Sequence, residues 1–206
     1  MLRTKFETFL GARLHRDGVY FRVWAPDCRS IDVVEEKTSR RFPLKKDRKG
    51  YFTGTVPGFK AGTLYKYRVN GKGPFPDPAS HFQPKGPLGP SMVVDHGRFR
   101  WTDDHWQMKG ITLKGQVLYE LHIGTYTPEG TFRAVIPHLS ALKDLGITVI
   151  EFMPLAECAG RWNWGYDGVD LFAAYHVYGT CDDLKALIDH AHSIGLGVIP
   201  GIPLRL

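Results

Sequence analysis

Cysteine is scarce in this sequence, and no long hydrophobic run occurs. The three cysteines, Cys28, Cys158 and Cys181, are too few and too unevenly spaced for a disulfide framework or a zinc site. We therefore expect free thiols and a reducing compartment. Charges at Arg3, Lys5 and Glu7 interrupt the amino terminus, so it lacks the apolar stretch of a signal peptide, and no later apolar run is long enough to span a membrane. The sequence predicts a soluble, cytoplasmic protein with no membrane partner.

Features typical of nucleic-acid, nucleotide and cofactor binding are missing as well. The formal net charge is +6, from 27 basic and 21 acidic residues, but the basic residues are scattered or form short clusters such as Arg40-Arg41. A solvated basic surface explains this charge better than nucleic-acid binding, because no recognition motif accompanies it. No glycine-rich phosphate loop follows the predicted strand that ends near Ile123, which disfavours a nucleotide site. We expect no cofactor, no metal and no nucleic-acid partner.

The first half of the chain has the pattern of an antiparallel β-sandwich. Hydrophobic residues make up 43% of the sequence, enough for one large domain or two modest ones. Short alternating apolar runs, bounded by turn residues, occupy positions 19–24, 31–34, 51–56 and 64–69. Asn70-Gly71 predicts a tight hairpin turn, because these residues accept positive φ at little cost. Residues 71–97 are rich in glycine and proline and predict a connector without helix or central strand.

After Gly115 the pattern changes to strands that alternate with helices. We predict strands at 116–123, 148–153 and 195–199. A helix is predicted at 132–145, in which Pro137 marks the first turn or a kink and Gly146 the end. Another is predicted at 181–194, since Thr180 and Asp183 resemble a capping box. Such units build a parallel sheet, and both a doubly wound sheet and a (β/α) barrel fit the pattern.

Polar and aromatic residues collect where these strands end, which is the region that carries the chemistry of a barrel. They are Glu120, His122, Glu151 and several residues of a loop at 158–177. A sugar site needs flat rings beside hydrogen-bonding groups, because sugar rings have apolar faces and polar rims. The loop supplies this mixture through Trp162, Trp164, Tyr166, Asp167 and His176. On composition alone, a loop whose aromatic residues pack as a lid on the core is the alternative.

Three segments of this half resemble the start of the barrel in the alpha-amylase superfamily. They are VLYELHIGTYTPEGT at 117–131, LKDLGITVIEFMPLA at 142–156 and WGYDGVD at 164–170. Within that superfamily the sequence is most similar to the malto-oligosyltrehalose trehalohydrolase family, and glycogen branching and debranching enzymes are more distant. GVYFRVWAP at 18–26 resembles the glucan-binding early-set sandwich that precedes the barrel in these enzymes.

The resemblance implies two domains and a sugar partner. Residues 1–97 would form an immunoglobulin-like early-set β-sandwich with its connector, and residues 98–206 would contain the first strands and helices of a (β/α)8 TIM barrel. Tyr166 would be a stacking platform beneath the sugar at the cleavage point, with Trp164, Asp167 and His176 at the rim of the cleft. The expected partner is an alpha-glucan or maltooligosyl-trehalose.

The catalytic carboxylates of the family have no counterpart in this sequence. Retaining glycosidases use one carboxylate as nucleophile and another as acid and base, and in the family these follow the fourth and fifth barrel strands. The last acidic residue here is Asp189, which precedes the third strand. Glu120, His122 and Glu151 are not catalytic in the family, and we interpret them as structural, since a buried carboxylate usually has a partner. We assign no catalytic residue.

The last seven residues depart from the family pattern. Pro200 and Pro203 argue against continuation of a central strand, and we interpret this segment as a shifted reading frame followed by an early stop. An unfinished barrel would leave the apolar stripe of the helix at 181–194, which contains Leu184, Leu187, Ile188 and Ala191, only partly covered. Three hypotheses follow: an incomplete, inactive trehalohydrolase-like protein, a non-catalytic glucan-binding protein, and a remnant without function.

Overall fold

The computed structural model describes residues 9–107, 111–163 and 166–201. The chain divides between Asp95 and His96 into two compact units, and each unit has its own hydrophobic core. All three cysteines are free thiols, as predicted. None of the helices in the described ranges is both long enough and apolar enough to cross a membrane.

The first unit is a sandwich of two antiparallel sheets, as the sequence predicts. Its strands are β1 (Gly11–His15), β2 (Gly18–Trp24), β3 (Ile31–Glu35), β4 (Arg41–Pro43), β5 (Lys45–Lys46), β6 (Tyr51–Val56), β7 (Leu64–Val69), β8 (Lys72–Phe75) and β9 (Ser91–Met92). One sheet has the strand order β1-β2-β6-β5. The other has the order β4-β3-β7-β8, and β9 also pairs with β7.

Alternating residues of the strands fill the core between these sheets. Phe21 of β2 is fully buried, and its ring meets Tyr65 of β7 edge to face with the ring centroids 4.9 Å apart. The predicted hairpin turn is confirmed, because Asn70 and Gly71 have φ angles of 50° and 79° between β7 and β8. Strand β8 itself occupies the first residues of the predicted connector. It tolerates Pro74 because it is an outer strand of the described sheet.

A buried aspartate holds the connector against the sandwich. Asp77 is 1% exposed, and its Oδ2 accepts hydrogen bonds from the hydroxyls of Tyr65 at 2.7 Å and Tyr67 at 3.0 Å. Its Oδ1 accepts the Ala79 N–H at 2.8 Å. Burial raises the pKa of Asp77, and the hydrogen bonds from Tyr65, Ala79 and Tyr67 oppose that shift. Since a buried carboxylate is costly without donors, these three groups stabilise the connector in place.

Tyr65→Phe is expected to lower the free energy of unfolding of the sandwich by about 1.5–3 kcal/mol at neutral pH, because it removes a hydrogen bond to a buried carboxylate. A raised pKa means that the folded state binds the proton more tightly than the unfolded state, for which the value is 3.8. Asp77 therefore stabilises the fold increasingly as the pH falls from its folded pKa toward 3.8. The destabilisation caused by Tyr65→Phe should decrease over the same pH range, because protonated Asp77 depends less on the hydrogen bond from the Tyr65 hydroxyl.

Hydrogen exchange of the β7 amides at several pH values measures this loss. Tyr51→Phe is the matched control, since Tyr51 is half-buried on β6 and is not among the described hydroxyl donors to Asp77. A loss in Tyr65→Phe that is independent of pH would show that the carboxylate is not the group that the hydroxyl stabilises.

The second unit is built on a three-stranded parallel sheet with the order β10-β11-β14. Its strands are β10 (Leu118–Leu121), β11 (Val149–Phe152), β12 (Ala156–Glu157), β13 (Asp170–Ala174) and β14 (Gly197–Pro200), and β12 pairs with β13 antiparallel. Its α-helices are α1 (Asp104–Gln107), α2 (Ile123–Tyr126), α3 (Phe132–Val135), α4 (Leu139–Asp144) and α5 (Cys181–Ser193). Short 3₁₀ turns span His96–Arg98, Ile136–His138 and His176–Tyr178.

Both predicted helices are present, and one is interrupted. The capping box of α5 is confirmed, because the Thr180 side chain accepts the Asp183 N–H while the Asp183 side chain accepts the Thr180 N–H. The predicted helix at 132–145 is divided into α3, a 3₁₀ turn and α4. Pro137 lies in that 3₁₀ turn, because it lacks the N–H that a continuous α-helix would require there.

One expectation about this unit, that the apolar stripe of α5 is only partly covered, is wrong for most of the stripe. Leu184, Leu187 and Ala191 are at most 1% exposed, because the stripe packs into the same core as residues of the parallel sheet and of α3. Ile188, the fourth residue of the stripe, is only half-buried, as expected. Strand β14 ends at Pro200, one residue after the predicted end of the strand, and the register partner of Pro200 is Phe152 of β11. Pro203 lies outside the described residues. In the described sheet β14 is an outer strand, so a missing N–H can be accommodated on its outer side.

Candidate functional site

A cavity of about 560 Å³ lies where β10 and β11 end. His122 directly follows β10 and Met153 directly follows β11, and the cavity is also lined by Thr125, Trp162 and Asn163. Ligand-binding groups of (β/α) barrels collect at this end of the strands. The volume lies within the range of about 300–1,000 Å³ that small-molecule sites occupy.

A second cavity of about 80 Å³ shares His122, Trp162 and Asn163 with the first. Its other lining residues are Gly124, Pro128, Glu129, Gly130, Arg161, Val177 and Tyr178. Glu129 and Arg161 give this smaller cavity one charge of each sign. Because three residues border both cavities, a change in any of them alters both.

Three residues of the predicted sugar site are exposed on the loop. Trp162 is 66% exposed and Tyr166 is 77% exposed, and Asp167 is exposed as well. Trp162 borders both cavities, and the guanidinium of Arg161 lies 5.3 Å from the centroid of its ring. This exposure disfavours the alternative in which Trp162 and Tyr166 form a lid on the core. Trp164 lies outside the described residues.

His176 is held in a separate pair with Glu157, and it is not part of the described lining of either cavity. The Glu157 carboxylate accepts the backbone N–H of His176 at 3.0 Å and lies 2.9 Å from Nδ1 of the ring. Since a carboxylate accepts, Nδ1 carries the hydrogen. The side chain of His176 is 25% exposed. The structure thus brings Trp162 to the cavities and places His176 at the base of the same loop.

Glu157 is a functional candidate that sequence inspection missed. Its side chain is fully buried, and it also accepts the Cys158 N–H at 3.1 Å. Burial raises the pKa of Glu157, and the hydrogen bonds from His176 and Cys158 oppose that shift. The backbone carbonyl of Glu157 accepts the Val169 N–H at 2.8 Å. Glu157 therefore joins both ends of the aromatic loop. Its position directly before the aromatic loop at 158–177 is the one signal that could have identified it.

Glu157→Gln is expected to loosen the aromatic loop and to lower the free energy of unfolding of this unit by about 1–3 kcal/mol. Both carboxylate oxygens of Glu157 accept N–H groups. Glutamine keeps the length of the side chain, but it replaces one of these oxygens with an NH₂ group, which can only donate. One buried donor is then left without an acceptor. Faster hydrogen exchange at 157–176 would report the change. Glu129→Gln, at an exposed position, is the control, and equal exchange in both variants would contradict this role.

His122, which the sequence predicts to be structural, has hydrogen bonds at both ring nitrogens. Nε2 lies 2.5 Å from the backbone oxygen of Asn163, and Nδ1 lies 3.2 Å from Oγ1 of Thr125. Asn163 is 3% exposed, and its Nδ2 donates to the carbonyl of Ala156 at 3.0 Å. Asn163 directly follows Trp162. The end of β10 is therefore joined to the backbone of the aromatic loop.

Glu120 and Glu151, which the sequence also predicts to be structural, are not part of the described lining of either cavity. Glu120 and Glu151 are register partners on β10 and β11. Glu151 is half-buried, but Glu120 is exposed, so the expectation of a buried carboxylate with a partner is wrong for Glu120. It alternates with Leu121, which points into the core. Glu129 is the only acidic residue in the described lining of either cavity. The described cavities therefore lack the carboxylate pair that hydrolysis of glycosides uses.

Two family models match the chain in succession. Residues 9–83 match carbohydrate-binding module 48, the isoamylase N-terminal domain, and residues 95–201 match the alpha amylase catalytic domain. The first match lies on the sandwich and the second on the unit with the parallel sheet. They confirm the predicted fold class, an early-set β-sandwich followed by the first strands and helices of an alpha-amylase-type (β/α)8 barrel.

Curated relatives of known name share this arrangement. The chain is 42% identical over 193 residues to the malto-oligosyltrehalose trehalohydrolase of Saccharolobus solfataricus, covering 92% of this chain and 33% of that protein. Identity to the enzyme of the same name from Deinococcus radiodurans is 42% over 181 residues, covering 88% and 29%. The 1,4-alpha-glucan branching enzyme GlgB of Vibrio parahaemolyticus is 33% identical over 200 residues, covering 88% and 26%. The chain therefore spans about a quarter to a third of the length of these relatives.

Solved structures of other proteins share the fold of this chain. A crystal structure described as that of a candidate alpha amylase from Salmonella typhimurium superposes with a TM-score of 0.86 at 43% identity, covering 92% of this chain and 32% of that one. A pullulanase from Anoxybacillus sp. LM18-11 complexed with maltotriose shares the fold, with a TM-score of 0.77 at 22% identity, covering 94% and 33%. Because the alpha amylase model matches just over half of the residues, this chain belongs to the alpha-amylase family of glycoside hydrolases.

Proposed function

We propose that this chain supplies the glucan-binding portion of a trehalohydrolase-type protein, and that it binds alpha-glucan chains at the aromatic loop without cleaving them by itself. One observation carries the proposal. Trp162 exposes 66% of its surface and borders a cavity of about 560 Å³ at the carboxyl ends of the parallel strands. An exposed indole beside a cavity at this position is suited to stacking on the apolar face of a sugar ring.

The other residues of the loop would complete the site. Tyr166 would supply a second stacking ring, since it is 77% exposed. We propose that Trp164, Asp167 and His176 contribute at the rim, where the Asp167 carboxylate and the His176 ring would bind sugar hydroxyls. The pair with Glu157 supports this role of His176, because it leaves Nε2 as the ring nitrogen available to a ligand.

Maltooligosyl-trehalose is the proposed preferred ligand within the alpha-glucans. The five relatives named malto-oligosyltrehalose trehalohydrolase are 36–42% identical, whereas the branching enzyme is 33% identical over a similar share of the chain. The sandwich also matches the family model of a carbohydrate-binding module. We propose a glucan-binding-type sandwich with its connector over residues 1–97 and the start of the catalytic-type barrel over residues 98–206, a boundary two residues after the one between the two compact units.

We also propose that the protein acts in the cytoplasm. Three free cysteines, two of them buried, support a reducing compartment.

Direct titration tests the proposed function. Maltoheptaose and a trehalose-capped maltooligosaccharide are titrated into the purified chain by calorimetry, with a cellooligosaccharide of equal length as the control for non-specific stacking. We expect saturable binding of both alpha-linked ligands, tighter for the capped one, and no saturable binding of the control. Equal binding of all three would contradict specificity for alpha-glucans.

A further inference from the structure

The hydrogen bonds around His122 fix the direction in which each group donates. The Asn163 backbone carbonyl can only accept, so Nε2 of His122 carries a hydrogen and donates to it. In the neutral ring, Nδ1 can then only accept, and the hydroxyl of Thr125 donates to it across 3.2 Å. Thr125 has thereby used its one hydrogen. Its remaining lone pairs can only accept, and Thr125 lines the larger cavity.

The same bonds immobilise the backbone beside Trp162. Asn163 is 3% exposed, its side chain is bound to Ala156, and its carbonyl also lies 3.4 Å from the hydroxyl of Tyr178. The adjoining Trp162 side chain is 66% exposed, so an exposed ring is attached to an anchored backbone. A preorganised platform loses less conformational entropy when a ligand binds.

We propose that His122 is a positioning residue of the candidate site, which anchors the backbone beside Trp162 and leaves Thr125 as a hydrogen-bond acceptor on the cavity wall. Such an acceptor would receive a hydrogen bond from a hydroxyl of the sugar. This polar contact would add to the stacking of the sugar ring on Trp162. This inference rests on the proposed function, because it assumes that the aromatic loop binds glucan.

The tautomer and the anchoring can be tested without any glucan. Long-range ¹⁵N correlation spectra of the wild-type chain distinguish the two neutral tautomers of His122, and we expect the hydrogen on Nε2. Hydrogen exchange of Asn163 should accelerate about tenfold in His122→Ala, the loss of about one hydrogen bond. A hydrogen on Nδ1, or unchanged exchange, would overturn the inference.

Ligand binding tests the role in the site through paired variants. His122→Gln places an amide donor near the position of Nε2 and should keep affinity for maltoheptaose within about threefold, whereas His122→Asn cannot reach Asn163 and should lose about tenfold. Thr125→Val should lose about tenfold and Thr125→Ser much less, because serine keeps the hydroxyl. His190→Gln on α5 is the control for loss of an imidazole elsewhere in the unit.

The outcomes separate this inference from the function on which it rests. Equal affinities of His122→Asn and His122→Gln, with both variants folded, would overturn the positioning role while glucan binding stands. A wild-type chain that binds no glucan would overturn the proposed function and the role of Thr125. The tautomer and the exchange rate of Asn163 then decide the anchoring role alone.

Discussion

No trehalose is expected to appear when the purified 206-residue chain is incubated with maltooligosyl-trehalose. Retaining hydrolysis needs two carboxyl groups about 5 Å apart on either side of the glycosidic bond. Glu129 is the only acidic residue in the described lining of the two cavities, and the oxygens of Glu157 are occupied by His176 and Cys158. The described cavities thus offer rings and hydrogen-bonding groups for a sugar but no pair of carboxyl groups to act as nucleophile and acid, so we expect turnover to be absent and not merely slow.

Chromatography of the reaction mixture measures this directly. The trehalohydrolase of Saccharolobus solfataricus, 42% identical to this chain over 193 residues, serves as the positive control. Trehalose released by the chain above the buffer blank, and abolished by Glu129→Gln or Asp167→Asn, would show that the described residues contain a catalytic pair after all.

Removal of the loop rings should have the second large effect. Trp162→Ala and Tyr166→Ala are each expected to weaken binding of a maltooligosaccharide by about 5- to 150-fold, which corresponds to about 1–3 kcal/mol for the loss of an aromatic anchor. Both side chains are more than half exposed, so their removal should leave no cavity in the core. Trp164→Ala belongs to the same prediction.

Phe172→Ala is the control for these variants, since Phe172 is 45% exposed on β13 and borders neither described cavity. Affinity that survives Trp162→Ala and Tyr166→Ala together but is lost in Trp24→Ala would move the site to the sandwich. Trp24 is 58% exposed there and is the register partner of Tyr51.

Much of the fold could be predicted because neighbouring residues decide it. The start of α5 depends on Thr180 and Asp183, and the hairpin after β7 depends on Asn70 and Gly71. Prediction failed for features of the fold that depend on contacts between residues distant in the sequence. Whether Leu184 is covered depends on the sheet against which it packs, and a local pattern does not contain that information.

The candidate site could be predicted in composition but not in geometry. Aromatic and polar residues on one loop indicated a sugar site, and the exposure of Trp162 and Tyr166 is compatible with it. The cavity and its anchoring depend on His122 meeting Asn163, 41 residues away, and on Glu157 meeting His176, 19 residues away. The folded chain determines which of these groups lie together and which of them donates a hydrogen bond. The spacing of the residues in the sequence does not contain this information.

A nuclear magnetic resonance titration of the wild-type chain with maltooligosyl-trehalose tests the central claim most directly. The sequence contains five tryptophans, whose indole N–H signals can be assigned by single Trp→Phe substitutions. If the glucan site is the aromatic loop, the indole signal of Trp162 shifts saturably with ligand while that of Trp24 stays in place. A saturable shift of Trp24 with none at Trp162, or no shift of any indole signal at saturating ligand, would contradict the account.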